Sequence, residues 1–188
     1  DLSEKSQYLI KIESINIEWW DRSHVSQIKV FDLNQNLMLT FEDVEIEFNL
    51  SNLFRQESVS LEYIYFDKMR VNLIKYEESD VFNLQSFLVA LKSDDRVVQS
   101  DPMCHIGSMI FKDLQVTIND HLLDNSILVS SPLNLNISHL NMLDIMISPD
   151  SIGFYVDSLK ADLSIFPNTS ITDLNGSFGF TRDQIDLS

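Results

Sequence analysis

A strict two-residue alternation of apolar and polar side chains is the feature that most constrains this sequence. From Asp43 to Leu50 the chain reads Asp-Val-Glu-Ile-Glu-Phe-Asn-Leu, so one side of the segment is apolar and the other is mostly acidic. Successive side chains of a β-strand point to opposite faces, and this period therefore indicates a strand with one buried face. Such strands suit an antiparallel sheet better than a parallel sheet, which is covered on both faces.

The same alternation recurs along most of the chain. It is found in residues 71–73, 114–118, 133–137 and 159–165. The chain has only four glycines and four prolines, so Asn, Asp and Ser must form most of the turns. These observations predict an all-β fold.

A second pattern interrupts the alternation: two alternating apolar residues, a skip of two residues, then two more apolar residues. It occurs at Ile10, Ile12, Ile15 and Ile17, at Met109, Phe111, Leu114 and Val116, at Leu135, Ile137, Leu140 and Met142, and at Phe154, Val156, Leu159 and Ala161. The skip would turn the apolar set to the other face unless a bulge absorbs the extra residue, and a bulge also bends the strand. We therefore expect long kinked strands, or short strands joined tightly, in a curved and mostly antiparallel sheet that forms an open β-groove or half-pipe.

One segment has helical spacing instead. Its apolar residues are Phe82, Leu84, Phe87, Leu88 and Leu91. They predict one short amphipathic helix near residues 81–92, with Ser79, Asp80 or Asn83 as its cap. The polar side lacks the Lys and Arg enrichment of membrane-lying helices, so we expect the helix to cover one end of the apolar sheet face.

A polar stretch at residues 93–102 divides the chain. Residues 1–99 are expected to form a β-meander that ends in the helix, and residues 100–188 to continue the strands of the same sheet or groove. The chain begins at Asp1 and ends inside an alternating pattern, so we expect a segment of a longer protein.

The sequence contains few of the motifs that bind metals or phosphates or that support catalysis. A net charge of -16 disfavours nucleic acid as a partner, and the single cysteine, Cys104, forms no internal disulfide. Cys104 and His105 are adjacent on a strand and would point to opposite faces, so we expect no metal site there. Glycine-rich phosphate loops and nucleophile elbows are missing from the sequence. We expect a protein that is not an enzyme and has no cofactor.

The order of these elements resembles the N-terminal region of TamB-like proteins of the AsmA-like superfamily, especially their Bacteroidetes branch. In the first half the similar segments are residues 12–20, 28–32, 37–48, 61–67, 71–75 and 82–91. In the second half they are residues 133–140, 154–159 and 171–178, the last being similar to a Leu-x-x-Leu-x-Gly-x-Phe element. Residues 166–170 depart from the family, which has Ser-Gly-Phe there.

The resemblance implies a periplasmic segment of a translocation and assembly module component whose inner-membrane anchor lies outside this chain. Its function would be phospholipid transport and outer-membrane biogenesis. Its partners would be phospholipid acyl chains, an outer-membrane β-barrel assembly-type protein and the rest of its own long chain. The candidates for lining the groove are Ile10, Ile12, Val44, Ile46, Phe48, Val71, Leu73, Val116, Ile118, Leu135 and Ile137. The alternative is a closed β-sandwich binding module of a surface or adhesion protein, in which these residues form an ordinary core.

Overall fold

The computed structural model describes residues 8–18, 21–48, 59–76, 79–92, 104–120, 132–148, 151–163, 170–181 and 185–187. Its strands are β1 (Leu9–Glu18), β2 (Arg22–Phe31), β3 (Leu37–Phe48), β4 (Val59–Asp67), β5 (Arg70–Lys75), β6 (Cys104–Asp120), β7 (Leu133–Ile147), β8 (Ser151–Leu163), β9 (Ser170–Ile171), β10 (Gly176–Thr181) and β11 (Ile185–Leu187). The helix of the described part is α1 (Asn83–Lys92). The prediction of an all-β fold with one short helix is confirmed.

All eleven strands belong to one sheet, in the order β1-β2-β3-β4-β6-β7-β8-β10-β11. β5 continues β4 and lies beside β3 and β6, while β9 lies beside β8. Neighbouring strands are antiparallel except β4 and β5, which are parallel to β6. The sheet is therefore open, curved and mostly antiparallel, as expected.

A line of kinks crosses the sheet and explains the skip in the apolar pattern. Phe41 and Val44 are three residues apart in β3, yet both pack on the same side of the sheet. Phe111 and Leu114 do the same in β6. From β1 to β7 the strand pairs keep their register across this line, because both partners turn at the same row. The strands are kinked as predicted, but the expected bulge, which would shift the register, is seen here only between β7 and β8 among the described pairs.

Residues with positive φ mark this kink line in the strands that run in one direction. They are Gln27 in β2 (φ 49°), Lys68 between β4 and β5 (φ 49°), and Asp113 in β6 (φ 55°). β1, β3 and β7 run in the opposite direction, and their described residues at the line have negative φ. Positive φ is uncommon for residues other than glycine, so each of these three positions is under local constraint.

A second kink line crosses β4, β6 and β7, six residues further along the strands. It runs through Glu62, Gly107 and Asp144, and Asp144 has a φ of 50°. At Gly107 the neighbouring backbone is so close that an added Cβ would lie 2.7 Å from the carbonyl oxygen of Glu62. Two kink lines in one sheet account for its curvature.

Helix α1 covers one end of the apolar face, as predicted. Its residues Leu84, Phe87 and Ala90 pack against the sheet, and the Phe87 ring meets the edge of Tyr8 at a centroid distance of 5.0 Å. Leu88 was expected on the same side but is 51% exposed, because the buried stripe of this short helix is narrower than the apolar pattern suggested. Residues 93–102, the polar stretch that follows, lie outside the described residues.

A buried carboxylate anchors the start of the helix. Asp32, in the turn between β2 and β3, is 5% exposed. One of its oxygens accepts the backbone N–H groups of Asn34 and Asn36, and the other accepts the hydroxyl of Tyr76 at 2.5 Å and the amide of Asn83 at 3.2 Å. Asn83 also accepts the backbone N–H of Leu84, which makes it the anchor among the three proposed caps.

Candidate functional site

The candidate site is the apolar face of the sheet. Residues that pair across neighbouring strands lie on the same face, so a set of paired residues forms a row that crosses the sheet. One row is Ile15, Val25, Val44, Phe66, Phe111, Leu140 and Leu159. A second, on the other side of the first kink line, is Ile10, Val30, Leu39, Val71, Val116 and Leu135. The face is therefore apolar on both sides of the kink line.

Two clusters of buried residues occupy this face. The first spans the first kink line, since it includes both Phe111 and Leu114, whereas the buried residues of the second lie on the Val44 side of the line. The first cluster is the part covered by α1, and it includes Met38, Val71 and Ile137. The second is centred on Val44 and Ile64, and no residue of α1 belongs to it. Phe41, Phe66 and several other half-buried residues pack against both clusters, so the two form one continuous apolar surface.

The eleven predicted lining residues lie on this face. Those that belong to the first cluster or pack against it are Ile10, Val71, Leu73, Val116, Leu135 and Ile137. Val44 and Ile46 belong to the second or pack against it. Those outside both clusters, Ile12, Phe48 and Ile118, pair with Ile28, Leu61 and Leu73 of the same face.

The residues predicted from the sequence to line the groove did not include several large residues at the centre of the face. The most central are Phe66, Phe111, Leu140 and Met142. Three of these four belong to the skip pattern, so that pattern already contained the signal.

The most accessible part of the apolar face lies along β1. Ile12, Ile15 and Ile17 are 47%, 61% and 74% exposed. By contrast, Val44, two strands away in the same row as Ile15, is 3% exposed. The face is therefore deeply covered at its centre and open towards its β1 end.

The opposite face is polar, and its charges pair across strands. On β3, the carboxylates of Glu45 and Glu47 form ion pairs with the guanidinium of Arg22, at 3.3 Å from its Nε and 3.1 Å from its Nη2. The hydroxyl of Tyr63 donates a hydrogen bond to Glu45. Burial, and then this bond, raise the pKa of Tyr63 to about 12. The acidic run of β3 is thus a cross-strand network on the outer face.

A serine, a histidine and an aspartate meet on this polar face. The Nε2 atom of His24 lies 3.0 Å from Asp43 and 3.1 Å from Ser26, and the Ser26 hydroxyl donates to the same Asp43 oxygen at 3.1 Å. A catalytic relay needs the acid on one ring nitrogen of the histidine and the serine on the other. Here both contact one nitrogen, so the three form a polar triangle and not a relay.

A depression of about 520 Å³ lies beside this triangle, with Lys29, Thr40, Lys68 and Arg70 in its wall. Lys68 is paired with Glu42 at 2.8 Å, so charges of both signs line the wall. Such a mixed lining selects no particular ligand charge.

The remaining chemistry of the described residues is sparse. Burial raises the pKa of the Cys104 thiol, which makes it a weak nucleophile. Within the described ranges no three His, Cys, Asp or Glu side chains come together as a metal site would require. Among the described residues there is no helix with the length and apolar character needed to cross a membrane.

No protein-family model matches this chain, and no curated protein is significantly similar to it in sequence. The resemblance to TamB-like proteins therefore stands on the order of the apolar elements in this sequence alone.

Proposed function

We propose that this chain is a non-enzymatic segment of a periplasm-spanning envelope protein, and that its apolar face lines a groove for phospholipid acyl chains. The observation that carries the proposal is the continuity of the apolar face. The row from Ile15 to Leu159 crosses seven strands without a charged or polar side chain. The kinks keep apolar residues on the same face on both sides of the line, which a strictly alternating strand with this sequence would not do.

The dimensions of the face suit an acyl chain. Six inter-strand spacings of about 4.8 Å make the row roughly 29 Å long. Binding of a hydrocarbon needs apolar area and no polar chemistry, at about 25 cal/mol per Å² of surface removed from water. A face built from aliphatic and aromatic side chains supplies that area.

The distribution of charge supports a groove that binds lipid on its apolar face only. The acids of β3 lie on the outer face, where Arg22 and His24 pair with them. With a net charge of -16, the outer surface repels anionic lipid headgroups. Lipid would therefore meet the protein through the hydrocarbon tails, on the apolar face.

The resemblance to TamB-like proteins supplies the setting. We propose a periplasmic location with an inner-membrane anchor elsewhere in the protein, and a role in phospholipid movement and outer-membrane biogenesis. An outer-membrane β-barrel assembly-type protein would receive the far end of the groove.

Site-specific photo-crosslinking tests the groove. A benzophenone amino acid at position 46, on the apolar face, should form lipid adducts in the full-length protein in its own cells. The same amino acid at position 45, on the polar face of the same strand, is the matched control and should form none. Adducts would be identified by mass spectrometry of the purified protein. Equal labelling at both positions, or at neither, would contradict the proposal.

A charge on the apolar face gives the functional test. Ile46 is half-buried, so Ile46→Asp should leave the sheet folded and remove lipid adducts from a benzophenone placed at position 17. Ile17 is an exposed residue of the same face, and it lies in the same row as Ile46, with Ser23 between them. Glu45→Lys changes the charge of the other face by two units, in the opposite direction, and should leave the adducts intact. In a dry closed core the same Asp would cost several kcal/mol, so loss of the cooperative melt would argue against a groove.

A further inference from the structure

We propose that one end of the polar, outer face of the sheet binds an extended segment of another polypeptide, in which acidic and large apolar side chains alternate. The proposal does not depend on the lipid groove, because it concerns the opposite face. This end lies beyond the first kink line, on the side of the turn between β2 and β3. We call it the basic end, and it consists of Leu9, Lys11, Lys29, Phe31, Leu37, Thr40 and Arg70.

The first kink line divides the outer face by charge. The acids on one side of the line are Glu18, Asp43, Glu45, Glu47 and Asp67. On the other side, the outward positions of the described strands from β1 to β7 contain no acidic residue. The chain as a whole has a net charge of -16, so the basic end is a local exception in an acidic protein.

Three cations occupy one cross-strand row of the basic end. The row is Lys11, Lys29, Thr40 and Arg70, in β1, β2, β3 and β5. The three cations are exposed, and no carboxylate of the described residues pairs with Lys29 or Arg70. The charges of Lys29 and Arg70, with Thr40 between them, are therefore available to an anionic partner.

An apolar row lies beside the basic row on the same face. Leu9 pairs with Phe31, and Phe31 pairs with Leu37. Leu9 is 46% exposed and Leu37 is 36% exposed, although the outward positions of a strand with one buried face are ordinarily polar. The Lys11 ammonium lies 5.2 Å from the centroid of the Phe31 ring, so the two rows are in contact. The basic end thus offers cations and apolar surface side by side.

The spacing of the two rows specifies the partner. Residues two apart on a strand are separated by about 6.8 Å, which is the distance between the rows, and three inter-strand spacings make the row from Lys11 to Arg70 about 14 Å long. An extended peptide that runs across the strands between the rows directs successive side chains to the basic row and the apolar row in turn. Its side chains on one side also repeat every 6.8 Å or so, and three of them span about 14 Å. A short segment with alternating acidic and apolar residues therefore matches both rows.

Such a segment fits the basic end better than an anionic membrane does. A membrane surface is broad and would meet both halves of the outer face at once, including Glu45 and Glu47. A peptide meets the basic end alone, because charges more than about 8 Å away are largely screened at physiological ionic strength. Glu42, an acid at the kink line, is already paired with Lys68 at 2.8 Å.

Three labelled peptides test the chemistry of the site. The probe is acetylated Glu-Leu-Glu-Leu-Glu-Leu, and its binding to the intact chain would be measured by fluorescence anisotropy. One control replaces each Glu by Gln and removes the charge, and the other replaces each Leu by Ser and removes the apolar side chains. We expect each control to bind at least about tenfold more weakly. Absence of probe binding, or equal binding of the probe and either control, would overturn the proposal.

Carbodiimide crosslinking locates the bound probe on the native chain, since the reagent joins a carboxylate to a lysine amine in contact with it. Mass spectrometry should find the probe on Lys11 and Lys29. Lys112 and Lys160 are exposed cations of the same face on the other side of the kink line, and they should carry none. Crosslinks at Lys112 or Lys160 in place of Lys29 would contradict the proposed site.

Charge reversal supplies the matched comparison. Lys29→Glu combined with Arg70→Glu should weaken probe binding about tenfold or more, while Lys112→Glu combined with Lys160→Glu makes the same change in net charge and should alter binding little. Thermal melting checks that both variants are folded, and the crosslinks decide the site for a variant that is not. Equal weakening in two folded variants would overturn the proposal. Binding of phosphatidylglycerol vesicles in place of the probe would do the same.

Discussion

The rings of Phe66 and Phe111 stack across the parallel pair of β4 and β6, with centroids 4.8 Å apart and planes 8° from parallel. This contact joins the two halves of the chain, since β4 precedes the helix and β6 follows it. It also lies next to the first kink line, where both strands turn together. The join between the halves is therefore made by aromatic packing as well as by backbone pairing.

Phe111→Ala should lower the free energy of unfolding by about 3–5 kcal/mol, because it removes a buried ring and leaves a cavity. Ile110→Ala, the next residue on the opposite and more polar face, should cost clearly less. Urea unfolding followed by circular dichroism measures both. Equal losses would mean that the Phe66–Phe111 face is not the buried side.

Gln27 has a φ of 49°, and substitutions there measure how much free energy of unfolding the kink costs. Gln27→Gly should raise the free energy of unfolding by about 0.5–1 kcal/mol, since glycine adopts positive φ without steric cost. Gln27→Val should lower it by more than about 1 kcal/mol, because a β-branched residue is strained there. Thermal melting of the two variants compares them. A more stable Val variant would show that the kink does not need a left-handed residue.

Alternation and skips in the sequence were enough to predict the sheet, its curvature and the apolar face. Val44 is apolar and Glu45 is charged, and successive side chains of a strand point to opposite faces. The alternation therefore gives one apolar face and one polar face. The helix was predicted for the same reason, because Leu84 and Phe87 repeat at helical spacing.

Other features depend on pairing between distant segments, which alternation does not encode. The parallel pairing of β4 with β6 joins residues more than forty positions apart, and the pattern of either strand is equally compatible with an antiparallel partner. The burial of Asp32 depends on Tyr76 and Asn83, both far away in sequence. The preserved register at the kink line needs all strands to turn at one row, which no single strand reveals.

The hydrogen bond from Tyr76 to Asp32 should contribute measurably to stability. Tyr76→Phe removes a donor from a buried carboxylate and should cost about 1–3 kcal/mol. In an Asp32→Ala background the same change should cost much less, because the acceptor is gone. A double-mutant cycle in urea gives the coupling between the two side chains. Additive losses would show that the bond is not a stabilising contact.

High pH should destabilise the fold in part through Tyr63. Its folded-state pKa is about 12, against about 10 in an unfolded chain, so its stabilising contribution is complete below about pH 10 and is lost as the pH rises towards 12. Tyr63→Phe should therefore lose less stability than the native chain between about pH 9 and 12. Denaturation at several pH values measures the difference. Ionisation of Tyr63 near pH 10 in an ultraviolet titration would contradict it.

The close approach of two backbones at the second kink line leads to the last prediction. Gly107 of β6 lies opposite Glu62 of β4, and a Cβ on Gly107 would stand 2.7 Å from the Glu62 carbonyl oxygen. A carbon and an oxygen cannot approach so closely, and a paired backbone cannot move aside without opening the strand pair. Gly107→Ala should therefore cost about 1–3 kcal/mol, the range of an overpacked site.

Gly153→Ala is the matched control for this prediction, since the new Cβ would lie 3.9 Å from the carbonyl oxygen of Phe178, an ordinary contact. That change should be close to neutral, or slightly stabilising, because alanine loses less backbone freedom than glycine when a strand forms. Urea unfolding of the two variants gives the comparison. If Gly107→Ala proved as stable as Gly153→Ala, β4 and β6 would have to lie further apart at this row, and the tight second kink would not be part of the folded sheet.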